Sequence, residues 1–355
     1  MRRLKNVVWL TVLLLLLLSA RSNACSTFYI ADQAHPVFGK NYDWEVDDGL
    51  VIVNKRRVTK TAFSEQPALT WTSKYGSITF NQYGREFAHG GMNEAGLVVE
   101  LMWLQDTQYP APDNRVGLDC LQWVQYQLDT SATVAEVLAA DAAIRITPQS
   151  APLHYLVCDR TGACAAIEFL HGQMVAHAGS DLPVRVLTNS TYERSAAFLQ
   201  QCEGFGGTQP IGSSYRSLDR FARAANWVKQ NNATDPVGYA FDILTDVAQG
   251  EWTKWSIVYE MEGGRISFRT HANPDIRFVD LAAFDFDCST PVKVLDINAA
   301  GSGDVGAHFE EYGYQFNRAL IGNAYRKTDF LRDVSSTALD SVAAYPGEAT
   351  ECEQK

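Results

Sequence analysis

The apolar and polar positions of the chain divide its first half into a strand-rich block and a helical block. Residues 26–104 contain short runs of β-branched and aromatic residues broken by Gly, Asn and Asp, a pattern typical of strands. These runs are STFYIA, PVFGKNYDW, LVIVNKR, SITFNQ, EFAHGG and GLVVELMWL. Apolar residues at three- and four-residue steps then predict helices over 118–128 and 131–144. The second of these begins with Ser/Thr capping residues and Glu136.

The second half repeats this order of strands followed by helices. Strands are predicted at LHYLVCD, CAAIEFL and VRVLTN, then helices over 192–201, 218–229 and 237–249. Three further strands follow at WSIVYEME, RISFRTH and IRFVDL, and the tail predicts one amphipathic helix over 309–325 before a polar end. Strands in runs and helices in blocks favour an α+β fold. Two sheets packed face to face, with helices outside each, give a four-layer αββα sandwich.

The chain organisation indicates one domain behind a leader. Residues 1–24 begin with basic Arg2, Arg3 and Lys5, continue with an apolar run over 7–18, and end at small residues, with Ala24 last. The apolar run is too short to span a bilayer, so it predicts a secretory signal peptide cut after Ala24. We therefore expect a periplasmic or secreted protein. Residues 25–355 contain no internal repeat and no Pro/Ser-rich linker, which predicts a single domain.

The charge of the chain restricts its partners. The net charge is −11, and removing residues 1–24 would make it more negative because that segment holds basic but no acidic residues. Such a chain is poorly suited to bind nucleic acid or to associate stably with an anionic membrane. The histidines are scattered, with no H-E-x-x-H motif, so we expect no metal and no organic cofactor.

The seven cysteines suggest a disulfide framework with one thiol left over. In an exported protein six of them could pair. Cys158 and Cys164 flank DRTGA, a plausible hairpin turn, and either face each other as a disulfide or are small buried residues. The odd count directs attention to Cys25, which directly follows the expected cleavage site.

Three interpretations of Cys25 compete: a lipid anchor, a structural disulfide, and a nucleophile that must be the first residue of the mature chain. Ser22 stands where a lipoprotein signal usually has Leu. The nucleophile has a chemical rationale, because an α-amine with a pKa of about 7.7–8.0 can accept the proton of a thiol with a pKa of about 8.5. Cleavage would then create the catalytic base, since the nitrogen is an amide before processing.

A cysteine nucleophile needs a cation, a carboxylate and oxyanion donors around it. Residues with these groups lie at the ends of predicted strands and on one predicted helix: Lys40, Asp43, Asn93, Asn189 and Arg220. Each is weak evidence alone, because Asp at a strand end is usually a turn residue and Arg on a helix is usually solvated.

Taken in order, seven segments resemble the choloylglycine hydrolase family, which contains bile salt hydrolases and penicillin V acylases. They run from Cys25 to about residue 285, and the ordered set is more specific than any one of them. The segments are CSTFYI, FGKNYDW, GGMNEAGL, LHYLVCDRTGACAAIEF, VLTNSTYE, SLDRFARAA and WTKWSIVYEMEGGRISFRTHANPDIRFVDL. The resemblance implies an N-terminal-nucleophile hydrolase that cleaves linear, non-peptide amide C–N bonds without a cofactor.

The same resemblance implies a role for each candidate. Cys25 would be the nucleophile and its amine the base, with Asp43 positioning the amine. Asn189 would help to form the oxyanion hole, and Arg220 would lie beside the thiol. Lys40 stands where the family has an arginine, which keeps the charge but loses the planar guanidinium.

Two tryptophans narrow the resemblance to one subgroup of the family. Trp44 follows Asp43, and Trp103 ends a predicted strand; this pair is similar to Gram-negative penicillin V acylase-like members. Indoles at a pocket suit an aromatic or aliphatic acyl group, so we expect Trp44 and Trp103 to contact substrate. Asn93 is expected to contact substrate as well. Penicillin V, N-acyl homoserine lactones and conjugated bile acids are the expected small-molecule substrates, in that order. Assembly into a homo-oligomer stays open, as does an inactive binding protein or lipoprotein on the same fold.

Overall fold

The computed structural model describes residues 25–31, 35–63, 68–231 and 233–353. The leader predicted over residues 1–24 lies outside these ranges. No helix within them is long and apolar enough to cross a bilayer. Two large sheets form the centre of the described structure, and their strands follow the runs of apolar residues in the sequence.

The first sheet, sheet A, contains the strand that follows Cys25. Its strands are β1 (Ser26–Ile30), β2 (Val37–Asp43), β14 (Val186–Leu187), β15 (Thr253–Glu260), β16 (Arg265–Thr270), β17 (Arg277–Asp280) and β19 (Gly303–Asp304). The spatial order is β14-β1-β2-β15-β16-β17-β19. β1 therefore lies inside the sheet between β14 and β2, and all five of its residues are buried.

The second sheet, sheet B, has the spatial order β13-β12-β11-β8-β7-β6-β3-β18-β20. Its strands are β3 (Leu50–Asn54), β6 (Ser77–Asn81), β7 (Ala88–Asn93), β8 (Val98–Trp103), β11 (Leu153–Cys158), β12 (Cys164–Leu170), β13 (Gln173–Ala178), β18 (Lys293–Asp296) and β20 (Glu310–Glu311). Two small sheets complete the set: β9 (Val116–Leu118) with β10 (Ile144–Ile146), and β4 (Val58–Thr61) with β5 (Thr70–Thr72) and β21 (Thr350–Cys352).

Helices cover the outer face of each large sheet. They are α1 (Cys120–Thr130), α2 (Val134–Ala139), α3 (Tyr192–Leu199), α4 (Ser217–Lys229), α5 (Pro236–Asp246), α6 (Tyr314–Lys327) and α7 (Ser336–Ala349). α4 and α5 pack on sheet A, and α1 packs on β7 and β8 of sheet B. The capping residues predicted at the start of α2 are found there, where Thr133 and Glu136 form a capping box.

The two sheets face each other across an apolar layer. Phe80 of sheet B packs edge-on against Tyr259 and Phe268 of sheet A, with ring centroids 6.2 and 5.8 Å apart. A separate apolar cluster fills the space between sheet B and helices α1 and α2. The predicted α+β fold with four αββα layers is therefore confirmed.

The C-terminal region differs from the prediction. The helix predicted over 309–325 begins only at Tyr314, after Gly313, because residues 310–311 pair with β18 instead. The predicted polar end is wrong, since it contains α7. Leu339 and Ala343 lie four residues apart on α7 and pack with Ile321 of α6. So short an apolar stripe, followed by Pro346, gives a weak helical pattern in sequence.

The cysteine pairing also differs from the expectation of six paired cysteines. Cys158 and Cys164 face each other across β11 and β12 as a disulfide, so that one of the two alternatives is confirmed. A second disulfide joins Cys288 to Cys352. Cys25, Cys120 and Cys202 remain as buried thiols. The odd count therefore does not single out Cys25, and its structural-disulfide interpretation is wrong for this structure.

Candidate active site

Cys25 lies directly before β1, at the end of a strand buried between layers. Hydrogen bonding to β2 on one side and β14 on the other fixes the strand. The Cys25 residue is 4% exposed, and it lines a large cavity. Its Sγ lies 4.0 Å from the backbone oxygen of Asp43. A nucleophile here is fixed in position and still faces a cavity.

Asp43 is the last residue of β2 and lies opposite Thr253 of β15. Its carboxylate accepts hydrogen bonds from the Thr253 hydroxyl and, at 2.8 Å, from Nε2 of Gln249. Burial raises the pKa of Asp43, although Arg220 and these two hydrogen bonds oppose the increase. A cation next to this buried carboxylate would favour its ionised form.

Arg220 on α4 joins the nucleophile strand to Asn189. Its guanidinium is fully buried. Nη1 donates to the backbone oxygen of Cys25 at 2.7 Å and to Oγ of Ser26 at 2.6 Å, while Nη2 donates to Oδ1 of Asn189 at 2.9 Å. One planar group therefore sets the position of Cys25 and the orientation of the Asn189 amide.

Asn189 lies two residues after β14. Because Arg220 binds its oxygen, its Nδ2 is directed to the other side, where it donates to the backbone oxygen of Trp103 at 2.8 Å. A hydroxyl, that of Ser217 at the start of α4, accepts from the Asn189 backbone nitrogen at 2.9 Å. The structure thus brings Asn189, Arg220 and Cys25 together, with an amide N–H donor held in a fixed orientation.

Lys40 lies on β2 and reaches across the interlayer space to sheet B. Its Nζ is 3.6 Å from Oε2 of Glu100 and donates to the backbone oxygen of Leu101, and its side chain is 1% exposed. Tyr259 donates a hydrogen bond to the other oxygen of Glu100. Burial raises the pKa of Glu100 to about 7, against the opposing influence of Lys40 and Tyr259.

The electrostatic environment of the thiol combines burial with two cations. Burial raises the pKa of the Cys25 thiol. Lys40 is the strongest opposing influence, followed by the hydrogen bond to the Asp43 backbone and then by Arg220. Asp43 adds to the increase, and the net shift is upward. The buried thiol therefore depends on nearby positive charge, and on a base, to form thiolate.

The cavity beside Cys25 has a volume of about 1040 Å³. Trp44 and Trp103 both line it, with ring centroids 5.8 Å apart. Other aromatic side chains contribute to its wall: Tyr42, Phe63, Tyr83, Phe87, Tyr325 and Phe330. Its size is at the upper end of the range for small-molecule pockets, and its wall suits an apolar group.

Asn93 requires a correction as a substrate contact, because it does not line the cavity. Lys40, Asn189 and Arg220 do not line it either, but Arg220 bonds to Cys25 and Asn189, and Lys40 acts on the thiol. Its side chain is fully buried at the β7–β8 turn. Its Nδ2 donates to the backbone oxygens of Leu128 and Ser131, and its Oδ1 accepts from the backbone nitrogens of Ala95 and Leu97. These four bonds use the whole amide, so Asn93 fastens the turn to α1 and has no group available for a substrate.

Several polar residues at the site were missed by sequence reasoning. Glu100 stands within an apolar strand, and that isolated charge is a usable signal. Thr253 and Gln249, the partners of Asp43, give none. His89 lines the cavity, and burial, aided by Lys40, lowers its pKa to about 3, which keeps the ring neutral. Within the described residues, no three His, Cys, Asp or Glu side chains group so as to hold a metal ion.

Comparison with known proteins shows which residues of the chain match a known family. A family model described as linear amide C–N hydrolases, choloylglycine hydrolase family, matches residues 25–294. A penicillin V acylase of Pectobacterium atrosepticum is 28% identical, over 80% of this chain and 88% of that protein.

Solved structures show the same similarity. A penicillin V acylase from Agrobacterium tumefaciens superposes with a TM-score of 0.73 and 26% identity, covering 81% of this chain and 98% of that one. A mutant conjugated bile acid hydrolase from Clostridium perfringens superposes with a TM-score of 0.66 at 17% identity, covering 79% and 98%, and supports the fold. The matched region contains every candidate catalytic residue named above.

Proposed function

The chain belongs to the choloylglycine hydrolase family of linear amide C–N hydrolases, and on this premise we propose that it cleaves its amide through an acyl thioester on Cys25. The observation that carries the proposal is the buried Arg220 guanidinium, which binds both the Cys25 backbone oxygen and the Asn189 side chain. A nucleophile and an oxyanion donor are thereby held by one rigid group.

The reaction begins after the leader is removed. The new α-amine of Cys25 accepts the thiol proton, and the thiolate attacks the carbonyl carbon of the amide. The Asn189 amide donates to the oxygen that becomes negative, and Asp43 positions the amine. The C–N bond then breaks, the leaving amine takes the proton, and the acyl group remains on Cys25 as a thioester.

Hydrolysis of the thioester completes the cycle. Water gives a proton to the α-amine as it attacks the thioester carbonyl, the C–S bond breaks, and the sulfur recovers the proton. Lys40 and Arg220 favour the thiolate in both steps, because their charges lower the pKa of the thiol. The products are a carboxylic acid and an amine.

The substrate proposed is an amide whose acyl group is large and apolar. The Trp44 and Trp103 indoles and the aromatic wall support this class. The relatives named penicillin V acylase support penicillin V as the first candidate, followed by N-acyl homoserine lactones and conjugated bile acids. Measuring the rate at which acid or amine is released from each of these three classes of substrate would rank them.

The mature protein is proposed to begin at Cys25 in the periplasm or outside the cell. The intact mass of the exported protein tests this, and a chain starting at unmodified Cys25 is the expected result. A diacylglycerol adduct on the thiol would contradict the mechanism, because it removes the nucleophile. If the protein carried this adduct and also hydrolysed none of the three classes of amide, the alternative of an inactive binding protein or lipoprotein would be favoured.

Cys25→Ser tests the nucleophile directly. We expect kcat to fall by at least about 10³-fold, since the hydroxyl is a far weaker nucleophile at this position. The melting temperature should change by only a few degrees, because Cys25 forms no disulfide. Cys202→Ser, at another buried thiol remote from the cavity, is the matched control. Amide hydrolysis retained in Cys25→Ser would overturn the proposed mechanism.

A further inference from the structure

Residues 314–352 form a compact C-terminal cap, made of α6, α7 and β21. The cap is bound to the main body at its end by the Cys288–Cys352 disulfide and by pairing of β21 with β4. Near its start, Oδ1 of Asn317 accepts a hydrogen bond from the backbone nitrogen of Arg85 at 2.8 Å. The cap is thus a fixed part of the fold.

Four apolar side chains of this cap line the cavity that contains Cys25: Tyr325, Phe330, Leu331 and Val342. They come from α6, from the α6–α7 connection and from α7. Phe330 is 64% exposed, so it lies at the edge of the wall, whereas Leu331 is half-buried. The cap therefore supplies one side of the acyl cavity and its rim.

A chain of hydrogen bonds connects the cap to the nucleophile end of the cavity. The hydroxyl of Tyr83 accepts from Nε1 of Trp44 at 2.8 Å and bonds to Oγ1 of Thr328 at 2.7 Å. The Tyr83 ring also packs edge-on against Tyr325, with centroids 5.8 Å apart. Trp44 is the neighbour of Asp43 in sequence. The position of the cap is thereby coupled to the Trp44 indole in the cavity wall.

The cap begins after residue 294, where the family match ends. The candidate catalytic residues lie within the matched region, so the wall supplied by the cap is separate from the shared chemistry. From this separation and the cavity contacts we infer that the C-terminal cap determines which acyl groups the enzyme accepts, by binding the distal part of long aliphatic chains. The inference rests on the proposed function at Cys25.

The physical reason is the size of the cavity. A short acyl group held at Cys25 fills only the part of a 1040 Å³ cavity nearest the nucleophile, while a long chain must also contact the more distant walls. Apolar contacts of this kind contribute about 0.8 kcal/mol per buried methylene. We therefore expect the cap residues that line the cavity to contribute to acyl groups long enough to reach them.

Leu331→Trp tests the inference by filling the space beside the cap. The substrates are a hexanoyl and a dodecanoyl amide with the same chromogenic amine, and the chain is expressed with its own leader. We expect kcat/KM for the dodecanoyl amide to fall by at least about tenfold, through KM, and that for the hexanoyl amide to stay within about twofold. Thr337→Trp, on the exposed face of α7, is the matched control and should change neither.

Equal losses on both amides, or no loss on either, would overturn the inference. Binding of dodecanoate to Cys25→Ala separates this outcome from failure of the proposed function. If the parent hydrolyses neither amide, the proposed mechanism fails, but Leu331→Trp in the Cys25→Ala background should still weaken dodecanoate binding at least about tenfold relative to Thr337→Trp. In that case, unchanged dodecanoate binding would show that the cap does not bind long acyl chains.

Discussion

Two buried lysines of this protein lie in contrasting surroundings. Lys60 on β4 is 2.6 Å from Oε2 of Glu86 and 2.9 Å from Oδ2 of Asp129, and all three side chains are at most 2% exposed. Lys40 on β2 is as deeply buried but has Glu100 alone as a carboxylate partner among the described residues, at 3.6 Å. No residue of the first group lines the cavity, whereas Lys40 acts on the thiol of Cys25.

The difference in partners changes what each cation does. Burial lowers the pKa of Lys60, but Asp129 and Glu86 outweigh it and the net shift is upward, so Lys60 is charged and fully compensated. Trp71 also donates to Asp129 at 2.8 Å, which joins β5 to α1. The positive charge of Lys60 is therefore paired with two carboxylates inside the fold.

Lys40 has a weaker partner, because burial raises the pKa of Glu100 to about 7. Near neutral pH, Glu100 is therefore only partly ionised and compensates Lys40 incompletely. The remaining charge lowers the pKa of the Cys25 thiol and of His89. An under-compensated buried cation is expected at a functional site and is costly elsewhere.

Lys60→Met gives the largest expected effect on stability. It removes the cation that Glu86 and Asp129 share and leaves Glu86 with Arg85 alone, at 3.3 Å, which we expect to lower the free energy of unfolding by about 3–5 kcal/mol. Urea unfolding measures it, with exposed Lys229→Met as the matched control. A loss below about 1 kcal/mol would mean that the cluster is not compensated as described.

Lys40→Met should instead affect reactivity more than stability. Removing this cation raises the pKa of the Cys25 thiol, so the rate–pH profile moves to higher pH and kcat/KM at pH 7 falls at least about tenfold, equivalent to about 1.4 kcal/mol. The rate of thiol alkylation by iodoacetamide against pH reports the same shift without substrate. The loss of stability should be smaller than in Lys60→Met, because Glu100 can take up a proton.

Lys40→Arg separates charge from packing in this comparison. If charge matters, the arginine variant recovers most of the alkylation rate at pH 7, although its planar group cannot reproduce the Leu101 contact. If Lys40→Met and Lys40→Arg alkylate at the same rate as the parent, Lys40 does not act on the thiol.

Glu100→Gln sharpens the comparison through the dependence of stability on pH. The pKa of Glu100 is raised from its ordinary 4.5 to about 7, so the folded state holds a proton that the unfolded chain has released between these values. The free energy of unfolding therefore falls as the pH rises through this window, by up to about 3 kcal/mol. Glutamine stays neutral and removes this part of the slope.

Urea unfolding of Glu100→Gln and the parent at about pH 4.5, 6 and 7.5 measures this difference. His89 acts in the opposite direction, since its pKa is lowered to about 3 and its contribution is lost as the pH falls below about 6.5. His89 remains in both proteins, so the difference between them isolates Glu100. If the free energy of unfolding of the two proteins changed equally with pH, Glu100 would not be the source of the pH dependence.

Much of the fold was predictable because local patterns and tertiary packing agree. β1, β2, β8, β11, β12, β15 and β16 lie where β-branched runs predicted strands. The short strands β4 and β5 were not predicted, since they are held by Lys60 and by pairing with β21 at the other end of the chain. α7 was missed for the same reason, because its apolar face exists only against α6.

The sequence by itself determined the four-layer class. It also predicted a leader before Cys25 and, through an ordered series of segments that resembles one family, the candidate set Asp43, Asn189 and Arg220. Their relative geometry was decided by the tertiary structure. Strand pairing sets Asp43 opposite Thr253, and α4 brings Arg220 to the Cys25 backbone.

Tertiary structure also separated residues that look equivalent along the chain. Asn93 and Asn189 are both strand-end amides, yet the Asn93 amide is used entirely by backbone groups of a turn, while Asn189 is oriented by Arg220. Lys40 and Lys60 are both buried strand lysines, but one carboxylate reaches the first and two reach the second. Hydrogen-bond partners and ion pairs between distant segments are set by packing of the layers, and residue type and spacing alone do not specify them.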